Sequence, residues 1–555
     1  MKRNTLTTAV LAGLTGMAGM VSVSNAVNVN PDGLGQVLLF PYYTARGGND
    51  TLISIVNTTD RGKAVKIRFI EALNSREVLD FNIYMSPFDV WTAAVTADAG
   101  GGAKMITADT TCTVPYFFGD RPAGAAFGEQ RFLDFQYNAA AVPALNFAGT
   151  IDGGPSGIER TKSGYIEVIE MGTFVEQPES AGGEGSVAFW AKHNASGVPN
   201  NCDAIVDLWR EAAPGANPTP GQLGYWLGRD TNGNPVNSDS TWGFDTDIGA
   251  SGGLFGAASI VNVAQGTMFS YNATAIDGFY NVGTTDHTDP GDLFPNLASN
   301  NNQQSIVFDN GALQVIDWNA PGTPLALNAT LTLAELMNEY IMDSALGART
   351  EWVLTFPTKG FHVDAAPGGN SLVEPGDDAI PPFSEIWTVA RPRSCDELSF
   401  RFWDREELEP TAPPGQPGGV IVSPPPPPTA PPTVPTFQLC RESNVVRLVN
   451  DGSEPDATEI LGEPLRGAPF ELLSYTNLSL PEQFSSGWLR FDFTSRESLE
   501  GTAVIGNSTG VLGLPVIGFG VTTIQNGDLG SGVRANYGGT FQHRGSRQGF
   551  TTAQP

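Results

Sequence analysis

KAVKIRFIEA, residues 63–72, decides the fold class of this 555-residue chain. Val65, Ile67 and Phe69 fall on one face of an extended strand, and Lys66 and Arg68 fall on the other, because successive strand side chains point to opposite sides. The stretch therefore predicts a β-strand with one apolar face.

Runs of the same style recur along the chain and are separated by turn-forming residues. They include GQVLLFPYYT (35–44), TLISIVNTT (51–59), REVLDFNIYM (76–85), SGYIEVIEMGTF (163–174), EWVLTFPT (351–358), ELSFRFW (397–403) and GWLRFDF (487–493). Strand runs at this spacing predict a mainly β protein of antiparallel β-sandwich domains, Ig-like or jelly-roll-like.

Two short accessory helices are predicted within this pattern. LTLAELMNEYIMDSALG (331–347) has Thr332 and Glu335 at the spacing of a capping box, with Gly347 as a stop. CDAIVDLWREAAP (202–214) has an apolar stripe and ends near a proline. Both stripes are typical of helices that pack against a sheet.

The first 26 residues, MKRNTLTTAVLAGLTGMAGMVSVSNA, combine a basic start, an uncharged run and a small-residue cleavage site, as in a secretory signal peptide. Length and pattern then divide the remainder into an N-terminal β-sandwich (27–200), a Gly/Asp/Asn-rich middle segment with the two helices (201–350) and a C-terminal β domain (351–555). We expect an exported protein of the periplasm, cell surface or exterior, without a membrane-spanning segment.

The formal net charge of −29 at pH 7 makes nucleic acid and anionic membranes poor partners. An acidic exterior keeps a protein soluble and can collect cations, and adaptation to salt or an arginine-favouring genome would produce the same composition.

Four cysteines, Cys112, Cys202, Cys395 and Cys440, favour disulfides in an exported chain. Three pairings are possible, and proximity in sequence favours Cys112 with Cys202 and Cys395 with Cys440. The second pair frames a Pro-rich loop, 410–435, which is either a free linker or a loop closed at its base, and we favour the closed loop. A hairpin pairing residues near 405 and 437 would leave Cys440 opposite residue 402, not Cys395.

Catalytic motifs have little support. G-x-S-x-G occurs around Ser251 and Ser508, but neither serine lies between a strand and a helix as a nucleophile elbow requires. The histidines, His193, His287, His362 and His543, are isolated in sequence and lack metal-binding spacing. Whether the chain is an enzyme stays open, with the balance against catalysis.

The stretch 224–253 is the most suggestive for ligand binding. Its side-chain oxygens alternate as in calcium loops, although the glycine position and the terminal acid of an EF-hand are missing. A looser Ca²⁺ site there would use Asp230, Asn232, Asn234, Ser238 and Asp239. A second acidic loop carries Asp286, Asp289 and Asp292. Trp226 and Trp242 flank the first loop and are candidates for stacking on sugar rings, or alternatively close a core.

Three stretches, GQVLLFPYYT, TEWVLTFPTKGFHVD and VRANYGGTFQHR, resemble segments of secreted or cell-surface proteins of Gram-negative bacteria that have no assigned activity. The resemblance touches both ends of the chain and implies a location only.

The leading hypothesis is a non-catalytic exported cell-surface structural or adhesive protein, with Ca²⁺ as the candidate stabilising ion and with copies of itself or surface glycans as its partners. The alternatives are a secreted polysaccharide-active hydrolase, which needs a pair of carboxylates in a cleft, and a periplasmic glycan-binding module, which needs an enclosed pocket.

Overall fold

The computed structural model describes residues 26–138, 150–174, 186–211, 223, 225–226, 249–367, 371–374, 376–410, 435–450, 460–462, 475–495, 499–528 and 534–551. The predicted mainly β fold is confirmed, and its sheets are largely antiparallel. No helix in these ranges is long and apolar enough to cross a membrane.

Thirteen strands build the first half of the molecule. They are β1 (Asn28–Val29), β2 (Val37–Thr44), β3 (Asn49–Asn57), β4 (Lys63–Glu71), β5 (Glu77–Met85), β6 (Val90–Ala97), β7 (Ala103–Thr107), β8 (Cys112–Val114), β9 (Gly128–Arg131), β10 (Ser163–Thr173), β11 (Leu254–Asn262), β12 (Thr267–Asn272) and β13 (Thr274–Asp277). Seven form one sheet in the order β1-β13-β2-β10-β4-β5-β8, and six form another in the order β12-β11-β3-β6-β7-β9.

The two sheets pack face to face around one apolar core. Phe40, Ile67 and Phe81 of the seven-stranded sheet meet Ile55 and Trp91 of the six-stranded sheet. Strands β11, β12 and β13 come from the predicted middle segment, yet they belong to this first sandwich: β11 pairs with β3, β12 pairs with β11, and β13 pairs with β2.

The remaining strands belong mostly to the C-terminal half. They are β14 (Gln304–Asp309), β15 (Ala312–Asp317), β16 (Thr332–Leu333), β17 (Glu335–Ile341), β18 (Ala348–Thr355), β19 (Asp396–Asp404), β20 (Thr436–Leu439), β21 (Ser443–Asn450), β22 (Tyr475–Leu480), β23 (Ser486–Asp492), β24 (Leu499–Glu500), β25 (Thr502–Ile505), β26 (Gly510–Leu512), β27 (Leu514–Pro515), β28 (Ile517–Asp528), β29 (Arg534–Gln542), β30 (Arg544–Ser546) and β31 (Gln548–Phe550).

Two five-stranded sheets, β20-β19-β23-β17-β30 and β22-β21-β18-β28-β29, enclose a second core around Leu336, Trp352 and Phe491. Smaller sheets, β14-β15-β25, β16-β27 and β24-β26-β31, lie beside them. The two sandwiches are in contact, because the Phe519 ring stacks on Tyr271 of the first with centroids 4.5 Å apart.

Four short α-helices are described: α1 (Val187–Ala191), α2 (Cys202–Leu208), α3 (Leu325–Leu331) and α4 (Lys359–Val363). Two 3₁₀ turns span Ile158–Lys162 and Ser344–Leu346. The predicted helix at 202–214 is confirmed over Cys202–Leu208 as α2, which begins after an Asn201 side-chain cap, and its predicted end at Pro214 lies outside the described residues. Its Cys202 is bonded to Cys112 of β8, as the sequence favoured.

The predicted helix at 331–347 is wrong. Helix α3 ends at Leu331, and the next residues form β16 and β17. Strand β17 lies between β23 and β30. Its backbone groups therefore form hydrogen bonds to both neighbouring strands in place of the hydrogen bonds within a helix. Leu336 and Tyr340 point into the core of the second sandwich. Their spacing fits the two-residue period of a strand as well as the period of a helix, so tertiary packing decides between the two.

The Pro-rich segment leaves and re-enters the same sheet. Asp396 of β19 pairs with Leu439 of β20, which places the bonded Cys395 and Cys440 directly beside that pair. The predicted disulfide and the loop closed at its base are therefore confirmed. The hairpin register near 405 and 437, in which the two cysteines would not be opposite each other, is not the one that forms. The short strand β20 pairs with the start of β19 and not with its end. Residues 411–434 lie outside the described ranges.

Candidate functional site

Buried charged side chains lie on and around the seven-stranded sheet, both on the face that points away from the first core and at the ends of strands β4 and β10. We call this the charged layer. Its cations are Lys63, Lys66, Arg68, Arg76, Arg160 and Lys359, and its anions are Glu71, Glu77, Asp80, Asp152, Glu167, Glu170, Asp364 and Asp396. The buried carboxyl group of Glu442 belongs to the same layer.

Neighbouring strands supply opposite charges to this layer. Lys63 Nζ of β4 lies 2.7 Å from Glu170 Oε1 of β10, and Arg68 Nε lies 2.6 Å from Glu77 Oε2 of β5. Arg160 Nε lies 2.7 Å from Glu71 Oε2. Each cation therefore meets a carboxylate, which is the condition for keeping it charged inside a protein.

The pKa values follow burial and pairing. Burial opposes ionisation of Glu71, but the charge and hydrogen bonds of Arg160, with backbone donors, lower the pKa of Glu71. Burial raises the pKa of Asp364 to about 6 against the attraction of Arg76, and it raises the pKa of Glu442 to about 8. Glu442 is thus protonated near neutral pH.

The cavity within this layer is small. It lies between Arg68, Asn74, Tyr165 and Asp364 and has a volume of about 20 Å³. A volume of that size holds about one water molecule. The charged layer therefore lacks room for a substrate at this point, and its geometry is that of a structural ion-pair network.

Ser251 of the first G-x-S-x-G match contacts this layer, because its Oγ lies 2.7 Å from Lys63 Nζ. A Ser–Lys pair can be nucleophilic when the amine is neutral. Here the Glu170 carboxylate accepts from Lys63 Nζ and also from the backbone N–H groups of Ser251 and Gly252. The arrangement anchors a turn. Ser508 precedes strand β26 and hydrogen-bonds to Gln314 through its backbone N–H.

The four histidines lie in separate places and have structural partners. Nε2 of His287 lies 2.9 Å from Tyr84 Oη, and Nε2 of His543 lies 3.0 Å from Val353 O. His362 contacts Asn328, and His193 Nδ1 lies 3.2 Å from Ser86 Oγ. Burial lowers the pKa values of three of them, to about 3 for His287 and about 4 for His362 and His543.

The second acidic loop already holds a cation from the protein itself. Lys66 Nζ donates to the backbone oxygens of Asp289 and Asp292 at 2.8 and 2.7 Å. The Asp286 carboxylate accepts from Tyr280 Oη, and those of Asp289 and Asp292 accept backbone N–H groups within the loop. In the described part of the chain, no three His, Cys, Asp or Glu side chains are grouped to hold a metal ion.

Trp226 is buried and stacks on Tyr84 with ring centroids 5.6 Å apart, so it closes the small core over α1 and α2. It is not exposed to a ligand. Trp242 and the predicted calcium ligands of the first loop lie outside the described residues. These are Asp230, Asn232, Asn234, Ser238 and Asp239.

The sequence analysis missed an exposed aromatic pair on the outer face of the second sandwich. Trp403 of β19 and Trp488 of β23 are directly opposite in register, and their rings stack 4.1 Å apart at 12°. Trp488 is 39% exposed. Alternation in ELSFRFW and GWLRFDF was the available signal, because it sets each tryptophan on the same face as an arginine.

Charged side chains lie on one side of this pair. Arg401 and Arg490 are opposite each other two residues along the strands. Arg401 Nη2 lies 2.5 Å from Glu409 Oε1, and Arg490 Nη1 lies 3.0 Å from Glu335 Oε1. We call the two tryptophans and these two ion pairs the tryptophan platform. It joins an apolar stacking surface to hydrogen-bonding groups held in place by their partners.

Comparison with protein-family models, curated proteins and solved structures finds no match to this chain. The functional argument therefore rests on the geometry of its own residues.

Proposed function

We propose that this chain is a non-catalytic exported surface protein with an adhesive role, which holds saccharide chains on the tryptophan platform. The observation that carries the proposal is the stacked Trp403–Trp488 pair, half-exposed on a sheet face. An indole ring presents a flat apolar surface that matches the C–H face of a pyranose, and it does so with little loss of side-chain freedom.

The flanking ion pairs support a polar ligand. Arg401 and Glu409, with Arg490 and Glu335, offer donors and acceptors beside the rings. Because each side chain is already oriented by its partner, less ordering is required when sugar hydroxyls bind. The net charge of −29 disfavours a polyanionic chain, so a neutral saccharide is the expected class.

Export is supported by the two disulfides, which persist in oxidising compartments. A non-catalytic role is supported by the pairing of Lys63, Arg68 and Arg160 inside the charged layer and by the structural contacts of the histidines. Acids and bases arranged in this way stabilise the fold, and the cavity beside Arg68 has room for only about one water molecule.

Affinity electrophoresis through gels containing hydroxyethylcellulose, xylan, glycol chitin or dextran tests the proposal. We expect at least one of these neutral polymers to retard the protein and Trp488→Ala to abolish the retardation. Tyr537→Ala, which removes an aromatic ring 63% exposed on another sheet, is the matched control and should retain it.

A cross-strand aromatic pair also stabilises a sheet, so each variant is first shown to be folded by circular dichroism. Loss of retardation in a folded Trp488→Ala variant supports binding at the platform. Equal retardation of the variant and the parent, or no retardation by any polymer, contradicts the proposal. Release of reducing sugar from a retarding polymer would contradict the non-catalytic part alone.

A further inference from the structure

A second surface lies on the outer face of the six-stranded sheet of the first sandwich, whereas the tryptophan platform lies on a sheet of the second sandwich. Side chains in register cross it in rows: Ser259, Leu52, Ala94 and Ile106 form one row on strands β11, β3, β6 and β7. Ala257, Ser54 and Thr92 form the next. We call this surface the uncharged face.

Small residues beside larger ones make a shallow open groove of about 540 Å³ on the uncharged face. Its lining has no charged residue, although the chain has 59 acidic residues and a net charge of −29. Leu52 is 46% exposed there, and Phe127 at the edge is 50% exposed. Contiguous exposed apolar surface of this kind marks an interaction site in soluble proteins.

Charged residues lie at the rim of the groove. Lys104 pairs with Glu129 on one side, and Asp109 accepts from Thr92 on another. An apolar centre with a polar rim is the usual anatomy of a protein–protein interface.

We infer that the uncharged face binds the same face of a second copy of this chain, giving a two-fold symmetric dimer. Two copies of so acidic a protein repel each other in most relative orientations. Contact through this face does not bury carboxylates. Self-pairing of one patch is also the commonest way in which soluble proteins form closed oligomers.

The size of the face sets the strength of the pairing. The four strands of the uncharged face, at about 4.8 Å spacing and with about six residues each at about 3.3 Å, give a surface of about 19 by 20 Å. Two such faces bury about 760 Å² in total, which is the size of a weak, transient contact. A dimer that dissociates on dilution is therefore expected. This inference is independent of saccharide binding at the tryptophan platform.

Sedimentation equilibrium of the oxidised protein between about 1 and 100 µM, the range in which weak interfaces form, tests the inference. The parent should pass from monomer to dimer. Leu52→Glu places two like charges in the symmetric contact and should weaken association on the order of 100-fold. Ser54→Glu in the neighbouring row is the second variant and should have the same effect.

Val263→Glu is the matched control, because Val263 is 81% exposed in the turn between β11 and β12 and lies outside the groove lining. It should leave the dimer unchanged. A parent that stays monomeric throughout the range overturns the inference. A dimer that persists in folded Leu52→Glu and Ser54→Glu variants overturns it as well, because association would then use another surface.

Discussion

Arg76 Nη2 lies 2.8 Å from Asp364 Oδ2, and this buried ion pair joins the turn after β4 to the segment that follows α4. The first sandwich and the C-terminal half thus share the charged layer. Backbone bonds from Glu442 and Ser443 to Ala72 O strengthen the same junction. The two halves are held together by charge pairs and hydrogen bonds as well as by apolar contact.

Arg76→Ala should therefore destabilise the whole protein. Removing one partner of a buried pair leaves an uncompensated carboxylate, at a cost of about 3–5 kcal/mol in the free energy of unfolding. Urea denaturation followed by fluorescence measures the loss. Arg210→Ala breaks the exposed Arg210–Asp207 pair and should cost less than about 1 kcal/mol. Equal effects of the two variants would refute a structural role for the junction.

Glu442 gives the protein a pH dependence with a definite sign. Its folded pKa is raised to about 8 from 4.5 by burial, so the folded state retains a proton that the unfolded state has lost. Its stabilising contribution is complete below about pH 4.5 and disappears as the pH rises through about 8.

Glu442→Gln should accordingly lose less stability than the parent between pH 5 and pH 9, by a few kcal/mol as an order of magnitude. Urea denaturation at the two pH values is the measurement. The exposed Glu482→Gln variant should follow the parent. A parallel decline of Glu442→Gln and the parent would show that Glu442 is ionised in the folded state.

The buried histidines act in the opposite direction. The pKa values of His287, His362 and His543 are lowered by burial, so their contribution is present above pH 6.5 and is lost as the pH falls through about 4 to 3. His543→Gln should reduce the acid sensitivity of the protein between pH 6 and pH 4. If the stability of His543→Gln falls with decreasing pH as steeply as that of the parent, protonation of another group causes the loss of stability in acid.

The Cys395–Cys440 bond closes a loop of sequence separation 45 next to Asp396 and Glu442 of the charged layer. By the chain-entropy relation, the Cys395→Ser/Cys440→Ser double variant should lose about 4 kcal/mol of stability. Calorimetry or urea denaturation without reductant measures this loss. A loss below about 1 kcal/mol would mean that the hairpin is fixed by its strands alone.

Lys66 accounts for the order of the 286–294 loop. Lys66→Met removes the ammonium ion from the backbone oxygens of Asp289 and Asp292 and should speed amide exchange in this loop by about tenfold or more. Lys104→Met, which breaks a partly exposed pair, should not affect the loop. Slower exchange after adding Ca²⁺ to the parent would contradict the assignment of these oxygens to Lys66.

Alternation within single strands was sufficient to predict a mainly β sandwich, and α2 and both disulfides could also be predicted. The charged layer could not, because Lys63 and Arg68 find partners on β10 that lie about 100 residues away in sequence. Residues 335–341 fit a helical stripe equally well, and only pairing with β23 and β30 decides for a strand.

The tryptophan platform depends on register, which is a long-range property. Trp403 and Trp488 each stand at the end of an alternating run, but only the alignment of β19 with β23 brings the two rings together. Trp226, by contrast, stands beside a polar loop in sequence and is buried in the fold. Local sequence context alone therefore does not distinguish a buried tryptophan from an exposed one.

Hydroxyl-radical footprinting tests the central claim most directly, with the protein free and then saturated with the polymer that retards it. We predict that oxidation of Trp488 and Trp403 falls on binding, whereas oxidation of the exposed Tyr537 does not change. Protection of other residues with Trp488 fully reactive would contradict saccharide binding at the tryptophan platform.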